Sequence, residues 1–410
     1  MTSRLVAGRP AGSLPLTQFV DRPGAIDLAW GHPDPALLPV EELRASADGA
    51  LAEFGADALA YGAPAGPGPL IELVAERLGA IDRRVPVLEE LCITPGASPS
   101  LDQATILLCE PGDVVLVEAP TYHYALQILE SHPVEVQAVP VDGDGIDVER
   151  LAGRLDELRA AGRRVRFLYT IPTFHNPTGV TLTAARRRAL VELAGAEGLL
   201  ILEDDVYREL WFEASAPPSL WSLDEAGVVI RLGSFAKSLA PGLRVGYLTA
   251  APALAARFAG QGYLDSGGSL AHLTGLVVAR YLASGGYAAN VERLRTGHRL
   301  RRDALLEGFA AALPPGTTWT TPGGGYFAWV TLPEGADAAA LLPAVRAAGS
   351  GYVPGTAFVR LRPDGLLPLG CFADDAARSF RVSWARWSPD ELRESARRMG
   401  EALRTAGVGG

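Results

Sequence analysis

The sequence predicts an α/β fold: a mostly parallel sheet covered by helices on both faces, followed by a smaller α+β unit. Three observations predict it. Continuous Val/Ile/Leu runs recur up to about residue 250. Helix-period segments separate several of them. After about Gly285 the pattern changes, and a long Arg-rich helical stretch leads into strand-like segments. Runs that are apolar throughout, rather than alternating, belong to strands buried on both faces, and their alternation with amphipathic helices marks a parallel sheet.

The elements follow in order. The Gly/Pro-rich stretch 61–69 is too short for an interdomain tether and reads as an ordered loop ahead of a helix over 70–78. Strands are expected at 114–117, 134–139, 165–170, 199–202, 228–232 and 245–249, with helices at 101–109, 124–130, 148–160 and 184–196. The later part should hold a helix over 287–313, strands at 326–332 and 379–384, and a last helix over 389–403. Two domains result: residues 55–285 form the large one, and residues 1–54 with 286–410 form the small one. The 410 residues suit two or three units of roughly 100–200 residues each, and 48% hydrophobic content suffices for their cores.

Composition narrows the function. A net charge of -10 argues against nucleic acid as a partner. No apolar run approaches the roughly 20 residues of a membrane span. The N-terminal stretch lacks the apolar segment of a secretory signal. Cys92, Cys109 and Cys371 show no CxxC spacing, so reduced, buried thiols are expected in a soluble, cytoplasmic protein.

Of the 37 basic residues, 36 are arginines and one is a lysine, Lys237. Either Lys237 is a surface residue left over by a bias toward arginine, or it stands where amine chemistry is needed. Arginine keeps its proton, whereas a lysine can become a nucleophilic amine. The neighbours decide between the two. In open parallel sheets ligands bind beyond the carboxyl ends of the strands, so the residues after each apolar run carry the information.

After 199–202 come Glu203-Asp204-Asp205-Val206-Tyr207. Three acids there could form a metal site, a solvated edge or a functional carboxylate, and the lack of an adjacent histidine argues against a transition metal. After 165–170 comes Asn176-Pro177-Thr178-Gly179, by itself a good turn. After Leu91-Cys92-Ile93 comes Thr94-Pro95-Gly96-Ala97-Ser98, opening a helix. Such a start suits a phosphate, although it is also an ordinary capped helix. Asp142-Gly143-Asp144-Gly145 resembles a calcium loop, but Gly153 occupies the twelfth position and no metal is expected. Together the strand ends offer a phosphate site, an Asn, an Asp–Tyr pair and a lysine. Pyridoxal phosphate needs that set: an amine for its aldehyde, a carboxylate for its ring nitrogen and donors for its phenolate oxygen.

Thr94-Pro95-Gly96-Ala97, Asn176-Pro177-Thr178-Gly179, Asp204-Asp205-Val206-Tyr207 and Ser234-Phe235-Ala236-Lys237 with Arg244 resemble the motifs of class I/II, fold type I pyridoxal phosphate-dependent aminotransferases. The branch is that of the 2-aminoadipate and kynurenine aminotransferases and the aminotransferase-like domains of MocR regulators. The resemblance covers about residues 30–386. It implies pyridoxal 5'-phosphate held by Lys237 as a Schiff base, with Asp204 on the ring nitrogen and Asn176 and Tyr207 on the phenolate oxygen. It places Tyr122 stacked on the ring, and Gly96, Ala97, Ser98, Ser234 and Arg244 around the phosphate. Tyr61 would reach that phosphate from the partner subunit of a homodimer. Arg381 would clamp the substrate carboxylate in a bidentate fork, with Asn176, Trp30 and Gly31 as further substrate contacts. His32, His175, Gly324, Gly325, Tyr326, Pro354 and Gly355 are candidates for the side-chain pocket. Ala236 stands where relatives often carry a phosphate-binding hydroxyl, Pro99 and Ser100 replace a Gln-rich helix start, and Ile71 replaces an arginine.

The expected reaction moves an amino group from an L-amino acid to a 2-oxo acid. Replacement, elimination or cyclisation on the same scaffold is the nearest alternative. A cofactor-binding regulatory module is the second, disfavoured by the acidic charge and the short segment ahead of the site motifs.

Overall fold

The computed structural model describes residues 17–18, 22–359 and 372–409. Cys371 and the N-terminal 16 residues, on which the signal-sequence argument rests, lie outside them.

The large sheet is built from β1 (Leu91–Thr94), β2 (Val114–Ala119), β3 (Glu135–Asp142), β4 (Gly145–Ile146), β5 (Val165–Thr170), β6 (Leu200–Asp204), β7 (Val229–Ser234) and β8 (Gly246–Thr249). Its order is β1-β8-β7-β6-β5-β2-β3-β4. Strands β7, β6, β5, β2 and β3 are parallel, β8 runs antiparallel to both its neighbours, and β4 closes a hairpin on β3. The mostly parallel sheet is therefore as expected. Every residue of β2 is buried, which is why its run is unbroken by polar residues other than Glu118. One face packs Val115, Val117, Phe167, Leu202 and Ile230 under the helices Ala97–Leu108 and His123–Glu130. The other packs Leu116, Leu168, Ile201 and Val229 under Val148–Ala160 and Ala184–Glu197.

The second sheet is antiparallel, with β9 (Thr318–Trp319), β10 (Phe327–Thr331), β11 (Val353–Pro354) and β12 (Ser379–Ser383) in the order β11-β12-β10-β9. The helices Gly286–Ala312 and Pro389–Thr405 cover it, burying Leu305, Phe309, Ala396 and Met399 with Val330, Phe380 and Trp384. Pro389–Thr405 starts on a capping box, in which Ser388 and Glu391 satisfy each other's backbone N–H. The N-terminal stretch is shared between the units. Ile26 and Leu28 join the second core, whereas Val40–Phe54 places Ala50 on Leu276 and Val277 of the helix His272–Ala283.

Two boundaries differ from expectation in ways that bear on the site. The helix Ala97–Leu108 begins four residues before 101, because Pro99 lies in a first turn whose N–H groups need no intrahelical acceptor. Strand β6 extends through Glu203 and Asp204, so two of the three acids lie within the strand and not beyond it. They fit there because each has hydrogen-bond donors. Glu203 accepts from the backbone N–H groups of Leu220 (2.8 Å) and Trp221 (2.9 Å), and Asp204 accepts from Tyr169 (2.6 Å).

Candidate active site

The carboxyl ends of β5, β6 and β7 deliver Asn176, Asp204 with Tyr207, and Lys237 to one edge of the sheet. Because β8 is antiparallel to β7, Arg244, two residues before β8, returns to the same edge. Strand β1, antiparallel to β8, ends there too and leads into Gly96.

Lys237 is partly buried, and its Nζ donates to the carbonyl of Gly31 at 3.2 Å. It lies 5.8 Å from the ring centre of Tyr207 and 5.5 Å from that of Tyr326. Burial, aided by the charge of Arg381, lowers its pKa to about 8, against the pull of Asp204. The neutral amine is therefore far more accessible near neutrality than for an ordinary lysine. Tyr326 Oη donates to the Lys237 carbonyl at 2.8 Å and so fixes the backbone of the lysine from the second sheet.

Asp204 is buried, and burial raises its pKa to about 6. Its Oδ2 accepts from Tyr169, while its Oδ1 is buried with no hydrogen-bond partner. Asp205 has a different environment: it pairs with Arg231 at 2.9 Å. Between the adjacent acids, Asp204 is thus the one that no arginine among the described residues holds.

Arg381, on β12, is buried among aromatic rings, 4.2 Å from the centre of Phe327 and 4.9 Å from that of Phe358. It donates to Asn176 Oδ1 (2.9 Å) and to the Ala29 carbonyl (2.6 Å), and its Nε has no partner. No carboxylate among the described residues pairs with it, and burial lowers its pKa to about 10. A buried guanidinium without an anion is costly, and a ligand carboxylate would relieve that cost.

Gly96 precedes the helix Ala97–Leu108 at φ 110° and provides no side-chain cap, which leaves the first-turn N–H groups of Ala97 and Ser98 available. A Cβ at Gly96 would lie 2.9 Å from Arg244 Nη2. Arg244, itself left-handed at φ 53°, donates to the carbonyls of Pro95 (2.9 Å) and Pro241 (3.2 Å). Ser234 Oγ accepts from the N–H of Ala236 at 3.1 Å. Tyr122 opens the next helix and hydrogen-bonds Ser98, and burial pushes its pKa up to about 12.

The structure thus gathers Lys237, Asp204, Tyr207, Asn176, Arg381, Tyr122 and the Gly96–Arg244 turn. Gly31 joins through its carbonyl, with Trp30 and His32 packed edge to face beside it, ring centres 5.5 Å apart. Burial lowers the pKa of His32. Tyr61 is 86% exposed and belongs to no part of this cluster. His175 is a structural residue rather than a pocket wall: it is buried, its Nδ1 lies 2.8 Å from Thr178 Oγ1, and its Nε2 lies 3.1 Å from Glu118 Oε2. Gly324 and Gly325 pack on Phe174, and Gly355 packs on the Ala376 carbonyl. Ile71 is buried in the apolar core beside β1.

The donor set fits pyridoxal phosphate. The unpartnered Asp204 Oδ1 suits a ring N–H, the uncapped helix start with Arg244 suits a phosphate, and the lysine with its lowered pKa suits an aldehyde. The family profile described as aminotransferase class I and II matches residues 24–399. The chain belongs to that family. As an aminotransferase it uses pyridoxal phosphate to move an amino group between amino acids and 2-oxo acids.

Its relatives include an aromatic-amino-acid aminotransferase of Thermococcus litoralis, 34% identical over 95% of this chain and 90% of that protein. The 2-aminoadipate transaminase of Thermus thermophilus is 33% identical over 95% of this chain and 92% of that protein. The crystal structure of the Pyrococcus horikoshii kynurenine aminotransferase superposes with a TM-score of 0.85 at 33% identity, covering 94% of this chain and 92% of that one. Its fold is that of the fold type I aminotransferases. Among the described residues no helix is long and apolar enough to cross a membrane, and no cluster of metal-ligating side chains occurs.

Proposed function

We propose that Lys237 carries the cofactor of this aminotransferase as a Schiff base and acts as its proton carrier. The observation that supports this most is Lys237 itself: the only lysine, partly buried, held by the Gly31 carbonyl and lowered in pKa to about 8. When bound, the cofactor supplies an electron sink for charge developing at the substrate Cα. Lys237 Nζ would take the proton from that carbon. Asp204 Oδ1 would hold the protonated ring nitrogen, Tyr207 and Asn176 would hold the phenolate oxygen, and Tyr122 would pack against the cofactor. Gly96, Ala97, Ser98, Ser234 and Arg244 would hold the phosphate, with Ala236 contributing no hydroxyl. Arg381 and Asn176 would orient the substrate carboxylate.

Aromatic L-amino acids are the proposed donors. The walls beside Lys237 and Arg381 are Trp30, His32 and Phe358, and relatives bear the names aromatic-amino-acid and kynurenine aminotransferase. The exposure of Tyr61, with Leu59 and Leu270 also exposed, supports a homodimer in which Tyr61 of the partner subunit completes the phosphate site. Residues 55–285 with the helix Val40–Phe54 form the cofactor domain, and the small domain is built on the second sheet from the described residues after 285 together with Ile26 and Leu28. The free thiols of Cys92 and Cys109 support a cytoplasmic location.

A single-turnover experiment tests the reading. The loaded enzyme, mixed with an aromatic amino acid and no acceptor, should release one equivalent of the 2-oxo acid, identified by mass. A different product would reject transamination. Lys237→Arg should abolish both this release and the visible band of the bound cofactor; a variant that still turned over would overturn the assignment of Lys237.

A further inference from the structure

Tyr169 lies one residue before the end of β5, inside the run that the sequence reads as plain core. Its neighbour β6 is parallel, with Tyr169 paired to Leu202, so its ring extends along the sheet face toward the next inward position on β6. That position is Asp204, and Tyr169 Oη donates to its Oδ2 at 2.6 Å with both groups buried. Asp204 therefore has one oxygen engaged and the other, Oδ1, without a partner.

We propose that Tyr169 is a positioning residue for the cofactor: its hydroxyl holds Asp204 Oδ2 so that Oδ1 alone meets the ring nitrogen, and it keeps the shared proton on that nitrogen. The inference rests on the reading that Asp204 pairs with the ring nitrogen.

A phenol suits the task better than a cation. A lysine or arginine on Oδ2 would neutralise Asp204 and weaken its hold on the ring proton. A phenol supplies a hydrogen bond without a charge, and burial raises the pKa of Tyr169 well above its ordinary range, so it donates without giving up its proton. The charged and titratable groups facing Asp204 are few. Burial and Asp205 push it toward neutrality, Tyr169, Lys237 and the backbone N–H of Val206 pull it back, and the phenols of Tyr122 and Tyr207 stand close by. Glu118 faces Tyr169 from β2. Without the Tyr169 hydroxyl, Asp204 becomes more basic and competes with the ring nitrogen for the proton.

The test uses the holoenzyme reconstituted with cofactor labelled with 15N in the ring, observed by NMR across pH. In Tyr169→Phe, at a pH where the wild-type nitrogen is protonated, the 15N signal should move toward that of the neutral pyridine as the proton passes to the more basic Asp204. Asp204→Asn is the reference. If the nitrogen signal moves in Asp204→Asn but coincides with wild type in Tyr169→Phe, Tyr169 merely satisfies its own burial and the inference fails. If neither variant moves the signal, the pairing of Asp204 with the cofactor fails instead. Should Tyr169→Phe not fold, 3-fluorotyrosine placed at position 169 decides. As a more acidic, stronger donor it should move the 15N signal further toward the fully protonated value, and an unchanged signal or a shift toward the neutral pyridine overturns the proposal.

Discussion

Asp204 and Asp205 are adjacent in the chain and occupy opposite kinds of site. Side chains at the end of a strand alternate between faces, so the two carboxylates point apart. Asp205 enters a closed cluster of charges: Arg231 binds it at 2.9 Å and Asp82 at 2.6 Å, and Arg208 binds Asp82 at 2.7 Å. Burial opposes ionisation of Asp82, yet Arg231 and Arg208 hold its carboxyl below the usual range. Among the described residues no arginine pairs with Asp204. It receives one phenol, keeps one oxygen unpartnered, and burial raises its pKa to about 6. The same contrast separates Arg231, which pairs with two carboxylates, from Arg381, which is buried without an anionic partner among the described residues. Charges that hold the fold are compensated within the chain. Charges left uncompensated await a ligand, and a completed protein–ligand complex supplies what they lack.

That contrast can be broken by single substitutions. Asp205→Asn leaves Arg231 with one carboxylate fewer in a buried cluster and should lower the unfolding free energy by about 3–5 kcal/mol, measured by denaturant titration of the apoprotein. A loss below about 1 kcal/mol would mean that the cluster is not structural. Arg381→Leu should do the reverse. It removes a buried charge with no anionic partner and should change stability little, yet kcat/KM for the amino acid should fall by about 2–5 kcal/mol, mostly through KM. An unchanged KM would show that the carboxylate is held elsewhere. The smallest effect is that of pH on cofactor capture by the apoprotein. The neutral amine of Lys237 is the reactive form, and its pKa is depressed to about 8. The capture rate should therefore be flat above that value and fall about tenfold per unit below it. Below about pH 6 Asp204 also becomes neutral, which should steepen the fall. A rate that stays flat from pH 9 down to about 6 would contradict the assignment of Lys237 as the capturing amine.

Much of the site is legible in the sequence because the sheet places it at strand ends. Lys237, Asp204 and Asn176 each follow an apolar run, and the bias toward arginine makes Lys237 stand out. What the sequence hides is contact that no residue type announces. Tyr169 sits inside a strand, where an aromatic reads as core packing. The Gly31 carbonyl that receives Lys237 is backbone and leaves no signal. His175, a polar residue beside Asn176, looks like a pocket wall, yet Glu118 lies 52 residues before Thr170 in the chain and meets both it and His175 in space. In the fold, the runs of residues 252–283 escape notice because Ala, Gly and Leu without a regular polar face resemble neither amphipathic helix nor strand, although Pro252–Ala259, Gly262–Gly267 and His272–Ala283 are all helical.

The most direct test of the contrast sets Asp204→Asn beside Asp205→Asn and measures, on each, the unfolding free energy of the apoprotein and the affinity for pyridoxal phosphate. Asp204→Asn should keep its stability within about 1 kcal/mol, because no cation is left unpaired, and should lose at least about tenfold in cofactor affinity. Asp205→Asn should lose stability instead, and where it remains folded it should still bind the cofactor. If Asp204→Asn unfolded the protein as readily as Asp205→Asn, or bound the cofactor as tightly as wild type, the division between structural and functional charge would be wrong.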